Sequence, residues 1–244
     1  MTGFGVPAPH RRRHVGVARL VLSVLVGATF ALPSGGAAQV ASDTPRCVNA
    51  INKSMRKVTL AATKQVRSCV LAHAGGTLGS QTVAQCVAAG AGVQKAIQGA
   101  LITADNSCDG VPPAFGPPSI SGHTARAVQL TQDLIAALFG PTPESVLATS
   151  STVMACQTAV LKAAGKCEDL RINSFNKCKK EGLKRGFVTD AVELQAACLG
   201  TGTIQPDPAG GKIASTCVTV PQKKIEGSCT SRGVALAPAF PGCG

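Results

Sequence analysis

The sequence has no tryptophan and no tyrosine, and seven phenylalanines are its only aromatic residues. Proteins that hold single-stranded nucleic acid stack its bases on aromatic side chains, so this composition argues against nucleic acid as a partner. No Cys-x-x-Cys pair occurs either. That spacing is typical of zinc ribbons, c-type haem attachment and thioredoxin-like redox sites, and its absence argues against all three.

Catalytic signatures are also missing, since there is no Gly-x-Ser-x-Gly elbow, His-Glu-x-x-His motif, phosphate loop or dinucleotide fingerprint. After the first 38 residues the histidines are His73 and His123, which are too few for an ordinary metal set, and His73 suits a helix end, where a cationic ring complements the dipole. Glu168 and Asp169 are neighbours that point about 100° apart on a helix, so their spacing does not form an acid–base pair. We predict a protein that is not an enzyme, with no catalytic residue, metal site or cofactor.

The first 38 residues have the layout of a secretory signal peptide. A basic start precedes an apolar run from Leu20 to Leu32, and small residues follow at positions 36–38, which predicts cleavage near Ala38. A run of about 13 residues is shorter than the roughly 20 that a membrane span needs. We therefore expect a secreted or periplasmic protein that does not span a membrane.

All eleven cysteines follow this segment, and in an exported chain they predict a disulfide framework with one cysteine left over. Residues 47–69 align with residues 156–178 without a gap, and the alignment predicts an internal duplication. The identical positions in the two copies are Cys47, Ala50, Lys53, Lys57 and Cys69, which match Cys156, Ala159, Lys162, Lys166 and Cys178.

In the first copy the apolar residues recur in steps of four, four and three, and in the second copy Cys156, Cys167 and Cys178 recur every eleven residues. Both patterns predict a long helix with its cysteines on one face. In the first copy a hairpin folded at the Gly-rich turn near residue 78 brings two pairs opposite each other, Cys69–Cys86 and Cys47–Cys108. The two members of each pair lie at equal distances from the turn, and we call this the mirror relation. In the second copy the same relation predicts Cys178–Cys198. If a Pro/Gly-rich loop lengthens the return arm, the same relation also predicts Cys167–Cys217 and Cys156–Cys229. Cys243 stays unpaired.

The expected fold is all-α, with duplicated antiparallel helical hairpins that disulfides cross-brace and a helical linker joins. The predicted segments are a cleaved signal peptide at 1–38, a first hairpin at 39–116, a Pro/Gly linker with a middle helix at 117–150, and a second hairpin with a Pro/Gly-rich tail at 151–244. The middle helix offers an apolar face to the core, formed by Ala127, Leu130, Leu134, Ile135, Leu138 and Phe139.

Three stretches carry a resemblance to a known group: "CQTAVLKAAGKCEDLRINSFNKCKKEGLKRG", "DLIAALFG" and "AFPGCG". They resemble uncharacterised exported bacterial proteins built from repeated Cys–helix–Cys segments with an "FNKCKK" signature. The resemblance implies secretion and helical repeats, and it implies no activity and no catalytic residue.

The charge favours an anionic partner. Removal of residues 1–38 removes four arginines, which leaves 20 basic and 12 acidic residues and a net charge of +8. Lys177, Lys180 and Lys184 recur at steps of three and four, so they face one side of a helix and are candidates for binding an anionic glycan or glycolipid of the envelope. The alternative is a purely structural role, in which these lysines complement the end of the helix dipole and face solvent.

A second hypothesis uses the leftover cysteine. An unpaired Cys243 in a Pro/Gly-rich tail could join two chains as a disulfide-linked homodimer or act in thiol exchange. The ligand, the partner and the biological process are not written in the sequence, so the leading interpretation is a secreted binding or structural module.

Overall fold

The computed structural model describes residues 44–108, 119–147, 150–199 and 211–243. Over these ranges the chain is helical and contains no strand. The predicted signal peptide and most of the two Pro/Gly-rich segments lie outside them. The helices are α1 Thr44–Ala74, α2 Val83–Ala89, α3 Ala91–Cys108, α4 Ile120–Phe139, α5 Ser151–Arg185, α6 Ala191–Cys198, α7 Lys212–Ala214, α8 Val220–Ser228 and α9 Leu236–Ala239.

The first hairpin is α1 packed against α2 and α3. Its disulfides join Cys47 to Cys108 and Cys69 to Cys86, with Cα–Cα distances of 4.7 and 5.9 Å. Each disulfide links one end of α1 to the opposite end of the return segment, so the two arms are antiparallel. These are the pairs that the mirror relation in the sequence predicts.

The return arm of this hairpin consists of two helices, α2 and α3. It begins at Val83, where Thr82 and Gln85 form a capping box, and it breaks at Gly90. A Cβ atom at Gly90 would lie 2.6 Å from the side chain of Gln65 on α1. The break therefore accompanies a close approach between the two arms.

The second hairpin is α5 packed against α6, α7 and α8. Three disulfides join its arms, Cys178–Cys198, Cys167–Cys217 and Cys156–Cys229. Gly186 ends α5 with a positive φ of 73°, and Asp190 caps α6 by accepting a hydrogen bond from the backbone N–H of Glu193. The three disulfides join the cysteine pairs that the sequence predicts for this hairpin.

Between α7 and α8 the chain makes a π-helical turn, Ser215–Thr219. Pro221 follows two residues after the turn, in the first turn of α8. A proline ring clashes with the carbonyl four residues earlier in a regular α-helix, and here that carbonyl belongs to Cys217, inside the wider π turn. The return arm therefore continues past Pro221 to Cys229.

The two hairpins pack through α1 and α5, which run antiparallel. Thr63 lies beside Gly165 and Glu168, while Asn52 contacts Asn176 and Lys179. Residue numbers thus rise on one helix as they fall on the other. At the far end Val48 packs against Leu183 and Val188.

The middle helix α4 closes the other side of the core. Ala127, Ile135, Leu138 and Phe139 are buried there, and Leu130 and Leu134 are partly buried. The C-terminal tail folds back onto this helix, where Phe240 stacks on Phe139 with ring centroids 5.6 Å apart. One core therefore joins both hairpins, the middle helix and the tail.

The structure confirms an all-α fold braced by disulfides. Within the described ranges, no helix is long and apolar enough to cross a bilayer.

Candidate anion-binding face

The predicted lysines Lys177, Lys180 and Lys184 are all exposed on α5. Helical spacing places Lys162 and Lys166, which are also exposed, on the same side of that helix. We call these five residues the α5 row. From Lys162 to Lys184 the row spans about 33 Å along the helix axis.

Two other cations of the same sequence cluster point elsewhere. Lys179 is buried, its Nζ lies 3.5 Å from the side-chain oxygen of Asn52, and burial lowers its pKa to about 8. Arg185 forms an ion pair with Glu181 one turn earlier. Lys179 therefore belongs to the hairpin interface, whereas Lys177, Lys180 and Lys184 face solvent.

A second row of cations lies on α1. We call Lys53, Lys57, Lys64 and Arg67 the α1 row, and all four are exposed. None of the nine side chains in the two rows makes an ion pair or hydrogen bond within the described residues. Because α1 and α5 pack side by side, at the 8–10 Å that is usual for helices, the rows form one basic face.

Two adjacent acidic side chains lie where α1 and α5 meet, and each already has a partner on α1. Arg56 donates to both carboxylate oxygens of Asp169, at 2.7 and 3.0 Å. The neighbouring Glu168 is buried, accepts a hydrogen bond from Thr63, and has its pKa raised to about 7, chiefly by desolvation. The adjacent carboxyls therefore have different partners, and neither neutralises a lysine of the face.

The rows meet at an open groove of about 300 Å³ between α1, α5 and α8. Its cations are Arg67, Lys162, Lys166 and Lys224, and we call it the cationic groove. Its other lining residues are Ala155, Thr158, Ala159, Ala163 and Val220, with no acidic side chain among them.

Two features of the fold position the groove. Cys167–Cys217 and Cys156–Cys229 fix α8 to α5 on either side of Lys224. On the other flank Gly165 allows α1 to approach, since a Cβ atom there would lie 2.4 Å from the Cγ2 of Thr63. Small residues and disulfides therefore hold four like charges around one depression.

A shallower depression of about 420 Å³ lies between α1 and α3. Lys57 and Lys64 of the α1 row line it together with Leu60, Gln65 and Gly92. It extends the basic face from α1 toward α3, and its charged lining residues are lysines of the α1 row.

The remaining candidates have ordinary structural contacts. The ring Nε2 of His73 lies 3.1 Å from the carbonyl oxygen of Glu144, which ties the end of α1 to the turn before α5. Within the part of the chain that the structure describes, no three potential ligands from histidine, cysteine, aspartate or glutamate are grouped to hold a metal ion.

Cys243 is the free cysteine of the structure. It is half-buried against α4, where its sulfur lies 3.8 Å from the carbonyl oxygen of Ala137. Burial raises the pKa of this thiol, and thiol exchange requires the thiolate. The environment therefore disfavours the thiol hypothesis.

Helical spacing in the sequence identifies three of the five cations in the α5 row, but it does not identify the α1 row or Lys224. A signal for part of the rest was present, because Lys53 and Lys57 match Lys162 and Lys166 when residues 47–69 are aligned with residues 156–178. The contribution of Lys224 depends on how α8 packs, which spacing alone does not give.

Comparisons with protein families, with characterised proteins and with solved structures found no match for this chain. The resemblance to exported Cys–helix–Cys proteins stays a prediction, and the function has to be argued from the basic face itself.

Proposed function

We propose that this protein is an exported, disulfide-braced binding module whose basic face docks an acidic polysaccharide of the cell envelope. The observation that carries the proposal is the charge of that face. Within the described residues these nine cations make no ion pair or hydrogen bond, and Asp169, the partly exposed acid beside them, is paired with Arg56.

Such a face is costly for the folded chain by itself. Like charges on one side of a protein repel each other, and elsewhere in the described residues Arg126 and Arg185 each pair with an acid on their own helix. A polyanion would remove the repulsion and release its own counterions, which is the usual source of affinity in such complexes. The unpaired rows therefore favour an external anion.

The shape of the face favours a polymer over a single small ion. The α5 row extends about 33 Å and the α1 row about 21 Å, so successive charges of an extended chain can be bound together. Several weak contacts made by one molecule give a far higher affinity than any one contact.

The five disulfides support export. Disulfides persist in oxidising compartments and are rare in the cytosol, and here they brace a core made largely of alanine and valine side chains. The amino-terminal segment with the layout of a signal peptide points the same way.

Salt elution from a column of a sulfated or carboxylated polysaccharide tests the proposal. The variant K177Q/K180Q/K184Q should elute at a clearly lower salt concentration than the unaltered protein, and its affinity should depend less steeply on salt because three contacts are gone. The matched control is K212Q/K223Q/R232Q, which removes the same charge from exposed cations outside both rows and the groove.

The proposal fails if the two triple variants elute together, because net charge alone would then explain retention. It also fails if duplex DNA of the same charge density binds as tightly and loses as much affinity in the row variant. Circular dichroism confirms that each variant stays helical.

A further inference from the structure

We propose that the cationic groove is a specific subsite for a phosphate monoester carried by the bound glycan. The inference deepens the proposed function and rests on it, because it names the chemical group that the basic face recognises. It is carried by the convergence of Arg67, Lys162, Lys166 and Lys224 from three helices on one depression.

The four cations have no partner within the described residues. Elsewhere on the face the cations lie in rows along single helices, but here α1, α5 and α8 each contribute. Two disulfides hold α8 in place, so the charges cannot separate simply by moving the helices apart. The groove therefore holds cations from three helices at one place, which neither row does alone.

The charge and geometry of the donors favour a phosphate monoester over a carboxylate. A monoester carries about −1.5 to −2 charge at neutral pH and three strong acceptor oxygens, whereas a carboxylate carries one charge in a plane. Arg67 offers a planar fork for two of those oxygens, and the lysines act as point charges around the third.

Other polar groups contribute little to the groove. The hydroxyl of Thr158 donates to the carbonyl oxygen of Met154 at 2.8 Å, so it is already occupied, and the rest of the lining is alanine and valine. Recognition would therefore come from the four cations. An open volume of about 300 Å³ accommodates a phosphorylated sugar unit and leaves the rest of the glycan on the face.

The backbone that leads into α8 sets the position of Lys224. The π-helical turn Ser215–Thr219 immediately precedes α8, whose residues Val220 and Lys224 line the groove. The turn adds a residue to the helix and so sets the side of α8 on which Lys224 lies.

Amide NMR titration of the full mature protein tests the subsite with glucose 6-phosphate, glucuronate and glucose at equal ionic strength. The three probes share a sugar ring and differ in the charged group. Glucose 6-phosphate should give saturable shifts centred on residues 155–166 and 220–224, glucuronate should bind at least fivefold more weakly, and glucose should give no shifts.

Variants separate this inference from the proposed function. K166Q/K224Q should weaken glucose 6-phosphate binding at least tenfold, while K212Q/K223Q, the charge-matched control, should leave it within twofold. K177Q/K180Q/K184Q should also leave it within twofold, although that variant weakens polysaccharide binding. The subsite is wrong if the groove variant binds as the control does, or if the shifts are unsaturable and spread over both rows.

A phosphate monoester can also be a lipid headgroup, and vesicles distinguish the two sources. Sedimentation with phosphatidylcholine vesicles that contain phosphatidic acid, lost in K166Q/K224Q while glucose 6-phosphate gives no saturable shifts, would overturn the glycan and assign the groove to a lipid headgroup. Saturable shifts with glucose 6-phosphate and no vesicle binding support the glycan. No binding to either probe overturns the inference.

Discussion

Glu168 lies on α5 where this helix packs against α1, beneath the basic face. Its carboxyl is buried and accepts one hydrogen bond, from Thr63. Desolvation raises its pKa to about 7, the hydrogen bond opposes this rise, and the charge of Asp169 adds to it. The folded protein therefore holds a proton here at pH values where the unfolded chain has released it.

We expect this proton to make stability fall with pH. Between the ordinary glutamate pKa of about 4.3 and about 7 the folded state binds more protons than the unfolded state, so raising the pH through this window destabilises the fold. E168Q removes the effect, and it should gain on the order of 2 kcal/mol relative to the unaltered protein between pH 5 and pH 7.5. Urea unfolding at several pH values, with the disulfides intact, measures the difference.

E226Q is the control for this experiment, because Glu226 is exposed on α8, where it accepts a hydrogen bond from Gln222. Its stability should follow that of the unaltered protein across the window. A constant difference between E168Q and the unaltered protein at every pH would contradict the assignment of the titrating group.

At Cys243 the environment predicts low reactivity. The thiol is half-buried and its pKa is raised, so less thiolate is present at pH 7.5 than in the unfolded chain. An aromatic disulfide reagent should label the folded protein at least tenfold more slowly than the urea-unfolded protein, and a non-reducing gel should show a monomer. Equal labelling rates, or a dimer that reductant dissolves, would restore the thiol hypothesis.

Among the elements, α1 and α5 depend on one close contact. Gly165 lies against Thr63, and an added Cβ would approach its Cγ2 to 2.4 Å. Alanine favours a helix over glycine by about 1 kcal/mol, yet a β-branched neighbour has little freedom to move. We expect G165A to destabilise the protein by about 1–3 kcal/mol in urea unfolding, as overpacked cores do.

The double variant T63S/G165A tests the cause of that loss. Serine removes the Cγ2 and keeps the hydroxyl that contacts Glu168. In the T63S background G165A should be neutral or stabilising, because only the helix preference of alanine remains. An equal loss in both backgrounds would mean that the contact with Thr63 is not what requires glycine.

The ends of the long helices were predictable because local chemistry determines them. Gly186 provides the left-handed residue that terminates α5, and Asp190 caps the next helix. The break at Gly90 was not predictable, because the apolar pattern continues through it and its reason is the contact with Gln65 on another helix. Glycine at this position is readable from the sequence, but the neighbour that it accommodates is not.

The basic face was predictable only in part for a similar reason. Spacing along one helix identified Lys177, Lys180 and Lys184, since a helical period relates them. The cationic groove joins Arg67 to Lys162 and Lys224 across three helices. No periodicity within one segment relates those positions, so their convergence appears only once the helices are packed.

At the scale of the whole molecule, the disulfides have unequal roles. Cys69–Cys86 closes a short turn within the first hairpin, with a sequence separation of 17. Cys167–Cys217 links positions separated by 50 and fixes the arm that presents Lys224. Stability and ligand binding should therefore respond differently to the loss of each.

We expect C69A/C86A and C167A/C217A each to lose about 2–4 kcal/mol of unfolding free energy, with the larger loss for the longer loop. Only C167A/C217A should also weaken glucose 6-phosphate binding, by at least fivefold, because α8 is then held by one disulfide, Cys156–Cys229. Urea unfolding and the NMR titration measure the two effects on the same samples. Equal loss of binding in both variants would show that the groove depends on overall stability. Loss in C167A/C217A alone means that this disulfide positions α8 so that Lys224 lies beside the other cations of the groove.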